Sequence, residues 1–361
     1  MLHYKIFCGN SNSVPAIENN SVHMIFTSPP YAIPNLISYD SSNPENIGNY
    51  EKEEYLELMK PVYKECFRIL KSGRKIIVNI ADPVDKSTID NKAGHYRMAN
   101  KTVNLLEEIG FIYEDTIIWN KMQSVGFHTN VSSRPGSSVL THKWEYLFLF
   151  RRPGETDWSH LTDQDRKTGE LSSEFIGKYL FNMWDVISES QKTFHPAPFP
   201  LQLPKIGIRL FTFPNEIVYD PFLGTGTTIK AAMELQRSAY GTELGYTPTK
   251  IEDGIRIPDG TNWLDRTKAE INWGTSNLAS DEILWRILKT TGEPIEQVDV
   301  KGLGKDKLME ESLHSKGQNL LSFGLELPES DSEKKKESIL PQGDGEWKNP
   351  PEVWVKQKKI F

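Results

Sequence analysis

Residues 220–228 read Asp220-Pro221-Phe222-Leu223-Gly224-Thr225-Gly226-Thr227-Thr228, between an apolar strand predicted at 217–220 and a helix predicted at 228–235. Glycines at the end of a strand allow a tight turn and let backbone approach a ligand closely. The residue three positions after Gly226 is Ile229, so the spacing of a dinucleotide site fails. The loop also lacks the lysine of a P-loop. It therefore predicts a different ligand site, with an ordinary structural turn as the alternative.

An acidic residue follows the next strand segment, in Tyr240-Gly241-Thr242-Glu243-Leu244. A carboxylate about 20 residues beyond a glycine loop is well placed to accept hydrogen bonds from two ribose hydroxyls. A lone glutamate is more often a solvated strand end. Its distance from the glycine loop makes ribose binding the favoured interpretation of Glu243.

Strand and helix patterns alternate along most of the chain, which predicts an α/β fold with a mainly parallel sheet. The predicted strands are 4–7, 22–26, 76–80, 116–119, 144–150 and 217–220. The predicted helices are 50–70, closed by a cap at 71–73, then 99–109, 201–213 and 228–235. Residues 32–50 are predicted to form a mobile surface loop. Beyond residue 262 the pattern weakens to one helix at 281–289 and a charged tail with Lys334, Lys335 and Lys336.

Composition places few limits on function. The 361 residues are 37% hydrophobic and can form one large domain or two ordinary ones. The net charge of −7 argues mildly against a non-specific nucleic-acid coat protein but allows a local basic face. No apolar stretch approaches the roughly 20 residues of a membrane span, and no secretory signal is visible. Cys8 and Cys66 have no metal-site spacing, which favours a reducing cytoplasm.

A second motif, Thr27-Ser28-Pro29-Pro30-Tyr31, ends the strand predicted at 22–26. Its chemistry suits the methylation of an aryl amine, whose nitrogen lone pair is delocalised into the ring. A serine hydroxyl and a rigidly held backbone carbonyl would accept the two N–H bonds and favour an attacking nitrogen. Tyr31 offers a face on which an extruded base can stack. The alternative interpretation is a proline-rich turn with a core tyrosine.

The two motifs, in this order, resemble those of the β-class DNA amino-methyltransferases. The serine form of the first motif is typical of cytosine-N4 enzymes, whereas adenine-N6 enzymes usually carry aspartate in place of Ser28. The resemblance implies S-adenosyl-L-methionine as cofactor and no metal. It implies the catalytic residues Ser28, Pro29, Pro30 and Tyr31. The implied cofactor-binding residues are Asn10, Thr27, His195, Pro196, Phe199, Asp220, Pro221, Phe222, Gly224, Gly226, Thr227, Thr228 and Glu243.

The resemblance covers roughly residues 4–250 and implies a Rossmann-like sheet with helices on both faces. Residues 1–150 would form the catalytic half, and 195–261 the cofactor-binding half of the same domain. Residues 151–194 would be a target-recognition insert, with 262–361 an extension that shares this task. The family often has aspartate where this chain has Asn10, which could still accept a hydrogen bond from the adenine amino group of the cofactor.

The resemblance also implies double-stranded DNA as substrate and a restriction-modification system in a bacterial or archaeal cytoplasm. A cognate restriction endonuclease would then act on the same site, and the enzyme would be a monomer or a homodimer. We expect a basic periphery to bind the phosphates, with Arg134, Lys143, Arg151 and Arg152 as candidates.

Three other functions can be weighed against this prediction. Adenine N6 is the nearest alternative, because Ser28 alone does not force the choice of base. A non-catalytic DNA-binding protein that keeps the fold is the alternative of another class, and the intact motifs argue against it. A cytosine-C5 enzyme needs a cysteine nucleophile, usually after proline, but Cys8 follows Phe7 and Cys66 follows Glu65.

Overall fold

The structure is a computed structural model. It describes residues 2–31, 43–50, 52–82, 84–85, 94–95, 97–122, 143–188, 199–245, 249–252, 255–258, 260–270, 281–285 and 298–299. The chain divides into the units Met1–Gly302 and Leu303–Phe361, and all described residues belong to the first. In the described part of the chain, no helix combines the length and the apolar character of a membrane span.

Most elements lie close to their predicted positions. The strands are β1 Tyr4–Cys8, β2 Val22–Thr27, β3 Leu70–Ile80, β4 Val84–Asp85, β5 Gly94–His95, β6 Ile112–Asn120, β7 Trp144–Arg151, β8 Met183–Asp185, β9 Ile217–Asp220, β10 Ser238–Glu243, β11 Thr249–Glu252, β12 Ile255–Pro258, β13 Asp281–Trp285 and β14 Val298–Asp299. The helices are α1 Lys52–Ile69, α2 Met98–Ile109, α3 Asp163–Thr168, α4 Ser173–Tyr179, α5 Gln202–Phe211, α6 Thr227–Glu234 and α7 Trp263–Glu270. A 3-10 turn spans Ile47–Asn49.

Among the described residues, ten strands form one sheet in the order β14-β13-β1-β10-β9-β2-β3-β7-β6-β8. The pairs from β13 through β3 are parallel, whereas β7 is antiparallel to both β3 and β6. Strand β8 is again parallel, to β6. The predicted mainly parallel α/β sheet is confirmed. The reversed strand β7 matters for the site because it returns its first residues to the edge where β2 and β3 end.

Helices cover both faces of the sheet, as the resemblance implies. On one face, α1 and α2 pack Met59 and Leu106 into a core with Val78. On the other face, α5 and α6 pack Ile206 and Ile229 into a second core. Strand β2 lies between these two cores and is buried at every position. Burial on both faces explains why apolar residues are adjacent in this strand, as in Met24-Ile25-Phe26, and do not alternate with polar ones.

Two predicted elements are wrong. The helix at 281–289 is not formed over its first five residues, because Asp281–Trp285 is the strand β13, which pairs with β1. Backbone pairing at an open sheet edge has outweighed a weak helical pattern. The cap at 71–73 is also absent, because α1 ends at Ile69 and β3 begins at Leu70.

The segment 151–194 is not a separate appendage in its described part. Strand β8 extends the sheet, and Trp184, which is 1% exposed, packs in the same core as Phe175 of α4. Residues 189–194 of this prediction lie outside the described residues, as do most of residues 262–361.

Candidate active site

The glycine loop connects the end of β9 to the start of α6. Gly224 and Gly226 have φ of 52° and 86°, in the left-handed region that glycine adopts without strain. Leu223 N donates to Thr242 O at 2.9 Å, which ties the loop to the neighbouring strand β10. The loop backbone therefore lies at the carboxyl edge of the parallel strands, where ligands bind in α/β sheets.

Asp220 joins the glycine loop to the Thr27–Tyr31 motif. Its carboxylate is fully buried and accepts from Thr27 Oγ1 at 2.8 Å, Thr228 Oγ1 at 2.6 Å and Phe222 N at 3.0 Å. Burial raises the pKa of Asp220 to about 6, against the opposing effect of these three donors. The motifs lie side by side because β2 and β9 are parallel neighbours, with Ile25 opposite Tyr219.

A cleft of about 90 Å³ opens between the two motifs. Eleven of the residues singled out from the sequence line it: Asn10, Ser28, Pro29, Pro30, Tyr31, Phe199, Pro221, Phe222, Gly224, Thr227 and Glu243. Thr27, Asp220 and Thr228 lie behind its wall, fully buried, and hold the loop through hydrogen bonds. Gly226 is the residue before α6 and does not line the cleft. His195, Pro196 and Arg134 lie outside the described residues.

Glu243 ends β10 beside the glycine loop. Its Oε2 accepts from Gly224 N at 2.7 Å and its Oε1 from Gly245 N at 2.8 Å. Burial raises the pKa of Glu243, and these backbone donors oppose that shift. A carboxylate offers about four acceptor positions, so capacity remains for ligand hydroxyls.

The loop after β1 forms the wall next to Glu243. Gly9 N donates to Glu243 O at 2.8 Å, and Ser11 Oγ donates to Pro221 O at 2.7 Å. Asn10 lines the cleft, and its Oδ1 accepts from Asn12 N at 3.0 Å.

The sequence prediction missed a further wall of the cleft, formed by Glu45, Asn46 and Ile47. Asn46 caps the 3-10 turn by accepting from Gly48 N at 3.0 Å, and Ile47 is 6% exposed. Part of the region predicted as a mobile surface loop is therefore ordered against the site. The asparagine before an apolar residue and a glycine is a local turn signal that could have identified it.

Tyr31 connects the motif to the reversed strand β7. Its hydroxyl donates to Glu145 Oε2 at 2.8 Å, and Asn79 Nδ2 donates to the same oxygen at 2.9 Å. Lys121 Nζ binds the other carboxylate oxygen of Glu145. Neither Glu145 nor Asn79 was singled out from the sequence, because they are more than 60 residues apart and only the sheet brings them together.

The predicted DNA-binding residues fall at opposite ends of β7. Lys143 is exposed and directly precedes β7. Because Tyr146 pairs with Ile80 at the end of β3, the start of β7 lies at the same edge of the sheet as the cleft. Arg151 pairs with Lys75 in the middle of β3 and lies eight residues after Lys143, which is about 27 Å along an extended strand.

The contacts of the two arginines also differ from the prediction. Arg151 Nε donates to Glu114 Oε1 at 2.9 Å, and the Arg152 guanidinium binds Asn20 and Leu70 O. Protein partners thus hold both guanidinium groups at the edge of the sheet opposite the cleft, and phosphate binding by Arg151 and Arg152 stays a prediction.

A second polar cluster lies at that opposite edge. His23, His160 and Glu216 bring their donor atoms within 4.8 Å of one another, a composition that suits zinc. However, His23 Nδ1 accepts from Ile217 N at 3.1 Å, so the neutral ring carries its proton on Nε2 and has no lone pair there for a metal. Arg74 also binds Glu216. The cluster is therefore better described as a buried ion pair with two histidines.

Comparisons with known sequences find DNA methyltransferases. The N6/N4 DNA methylase family model matches residues 22–247. The type II methyltransferase M.MjaI of Methanocaldococcus jannaschii is 29% identical over 300 residues, which cover 75% of this chain and 97% of the relative. M.MthZI of Methanothermobacter thermautotrophicus, also a type II methyltransferase, is 27% identical over 264 residues, 67% of this chain and 73% of the relative.

A solved structure extends the similarity to the fold. The putative DNA modification methylase TTHA0409 of Thermus thermophilus, crystallised with S-adenosyl-L-methionine, is 25% identical and superposes with a TM-score of 0.58. The match covers 78% of this chain and 99% of that protein.

Proposed function

Because the chain belongs to the N6/N4 DNA methylase family, we propose that it transfers a methyl group to N4 of cytosine at specific sites in double-stranded DNA. At the coarser level it is an S-adenosyl-L-methionine-dependent DNA amino-methyltransferase of the restriction-modification type. The choice of cytosine N4, and the role of each residue, are the proposal.

The cleft has the donors and acceptors that this cofactor requires. The Glu243 carboxylate can accept from both ribose hydroxyls, and the side-chain oxygen of Asn10 can accept from the adenine amino group. At Gly224 no side chain stands between the backbone and the ligand. Phe199 and Phe222 add apolar surface. We assign Thr27, Asp220 and Thr228 to holding these groups in place, and Gly226 to the turn into α6.

S-adenosyl-L-methionine supplies an electrophilic methyl group on its sulfonium when bound. The chain's own contribution is positioning and preorganised hydrogen-bond acceptors. Ser28 Oγ and a backbone carbonyl of the diproline segment accept the two N–H bonds of the target amine. Tyr31 holds the extruded base by stacking. Cys8 and Cys66 take no part, because both thiols are buried and burial raises the pKa of each.

The presence of Ser28 on the cleft wall is the observation that carries the choice of cytosine N4. A serine hydroxyl is neutral and accepts through oxygen lone pairs, where an aspartate would bring a full negative charge to the amine. Adenine N6 remains the second candidate, since its amine needs the same two acceptors.

The test is methylation of unmethylated genomic DNA with radiolabelled cofactor, followed by digestion to nucleosides. We expect N4-methylcytosine as the labelled product, and N6-methyladenine would overturn the choice of base. Ser28→Ala is expected to lose at least tenfold in turnover if the hydroxyl accepts from the amine. Ser13→Ala, in the loop after β1 and away from the cleft lining, is the matched control.

We further propose that DNA approaches the carboxyl edge of the sheet, where Lys143 is exposed. Within the 151–194 segment, the residues after β8 would then recognise the DNA target. Strand β8 runs parallel to β6 and ends beside Asn120, at that edge of the sheet. Residues 195–261 would supply the cofactor half. A cognate endonuclease with the same recognition site is part of this proposal, and sequencing of the methylated product identifies that site.

A further inference from the structure

The buried carboxylate of Glu145 lies one strand away from the catalytic motif. Glu145 is the second residue of β7 and is 7% exposed. Its Oε2 lies 2.8 Å from the hydroxyl of Tyr31, which belongs to the loop after β2. Strand β3 separates the two elements in the sheet, so this bond crosses an intervening strand.

The carboxylate is held in place independently of Tyr31. Asn79 Nδ2 donates to Oε2 at 2.9 Å and also to Tyr146 O at 3.1 Å, while Lys121 Nζ binds Oε1. Asn79 is itself buried, at 1% exposed. A buried carboxylate such as that of Glu145 is tolerated only when it is paired and hydrogen-bonded. The position of Oε2 is therefore set by β3 and by Lys121.

Lys121 is itself restrained by its surroundings. Its backbone N–H donates to Lys143 O at 3.0 Å, and its ammonium lies 5.0 Å from the centre of the Trp119 ring. The ammonium therefore approaches Glu145 from a fixed direction. Of the groups that meet at this carboxylate, Tyr31 alone also lines the cleft.

We propose that Glu145 is a positioning residue for the methyl transfer, which fixes the ring of Tyr31 in the orientation that stacks the extruded base. The proposal rests on the stacking role of Tyr31 in the proposed function. A phenol ring is anchored at one end by its Cα–Cβ bond, and the hydrogen bond at its hydroxyl restrains the other end. The ring is then oriented before the base arrives, so ordering it costs no free energy during binding.

The test is a double-mutant cycle between the hydroxyl and the carboxylate. Tyr31→Phe keeps the ring and removes the donor, and Glu145→Leu removes the acceptor. A hydrogen bond to a charged group is worth about 1.5–3 kcal/mol. We therefore expect each variant to lower kcat by about 10- to 150-fold and to leave the KM for S-adenosyl-L-methionine unchanged. The double variant is expected to be no slower than the slower single variant.

Two further variants separate positioning from loss of structure. Glu145→Gln retains one oxygen that can accept from Tyr31, so we expect its kcat to lie above that of Glu145→Leu. Glu114→Leu is the control for removal of an ion-paired carboxylate, because Glu114 on the neighbouring strand β6 pairs with Lys75 and Arg151, far from the cleft. Its kcat is expected to equal that of the wild type when both are assayed below their unfolding temperatures.

Several outcomes would overturn the proposal. Independent, multiplicative losses in the double variant would mean that Glu145 does not act through the Tyr31 hydroxyl. A Glu145→Gln variant as slow as Glu145→Leu, or a slow Glu114→Leu variant, would indicate a structural effect alone. Tyr31→Ala distinguishes the two levels. If Tyr31→Ala turns over as fast as the wild type, the stacking role itself is refuted. If Tyr31→Ala loses turnover while Tyr31→Phe and Glu145→Leu keep it, only the role of Glu145 is refuted.

Discussion

Thr27→Val is expected to destabilise the protein more at pH 8 than at pH 5. The substitution is nearly isosteric and removes the hydroxyl that donates to Asp220 at 2.8 Å, in a site where both residues are fully buried. Burial raises the pKa of Asp220 from 3.8 to about 6, and the Thr27 donor lowers that pKa. The variant should therefore have an Asp220 pKa above 6.

The magnitude follows from the ionisation state of the acceptor. At pH 8 Asp220 is ionised in the wild type, and a hydrogen bond to a charged group contributes about 1.5–3 kcal/mol. At pH 5, below the raised pKa, Asp220 is mainly protonated in both folded proteins, and a neutral bond contributes only about 0.5–1.5 kcal/mol. The difference in unfolding free energy between variant and wild type should thus shrink by roughly 1 kcal/mol on acidification.

Urea unfolding of both proteins at pH 5 and pH 8 measures this difference, and effects of other titrating groups cancel in the comparison. Thr242→Val is the matched control, because buried Thr242 bonds the neutral hydroxyl of Tyr219 at 2.8 Å and its loss should not depend on pH. A cost for Thr27→Val that is the same at both pH values would refute an ionised Asp220 as its partner. A cost below about 0.5 kcal/mol at pH 8 would refute the hydrogen bond itself.

Three other predictions concern pH, thiol chemistry and the glycine loop. Burial, with Lys71 and Arg74, lowers the pKa of His23 to about 2, so acidification from pH 7 to pH 5 should cost about 2 kcal/mol of stability. His23→Gln should remove that part of the loss, and an unchanged pH slope in urea titrations would contradict it. Cys8 and Cys66 are buried and their pKa values are raised, so treatment with iodoacetamide at pH 8 should leave activity intact. Inactivation together with labelling of either cysteine would disprove this prediction. Gly226 has a φ of 86°, so Gly226→Ala should lower the free energy of unfolding by about 1–2 kcal/mol and weaken cofactor binding in calorimetry. Gly177→Ala, whose Cβ would meet open space, should have neither effect.

The parts of the molecule that local sequence determines were predictable. The glycine loop, the diproline turn and Glu243 each carry a short pattern, and the cleft brings all three together. Strand β2 was recognisable because burial on both faces requires an apolar run.

The remaining features depend on contacts between distant residues. The direction of β7 is set by its pairing with β3 and β6, and no residue of β7 encodes that choice locally. Arg151 and Arg152 have the composition of a phosphate-binding pair, yet Glu114 and Asn20 bind them from other elements. Glu145 appears as one more charge in an apolar strand until the fold places it beside Tyr31.

The hydrogen bond from Thr27 to Asp220 spans 193 residues of sequence. During synthesis, the Thr27–Tyr31 motif leaves the ribosome long before β9, the strand that carries Asp220, so this hydrogen bond cannot form until β9 has followed. The first half of the chain therefore lacks the Asp220 acceptor, and the second half lacks the Thr27–Tyr31 motif. An interrupted or proteolysed chain is expected to be inactive as a methylase, whereas two complementary fragments divided between β7 and β9 could restore activity by pairing β2 with β9.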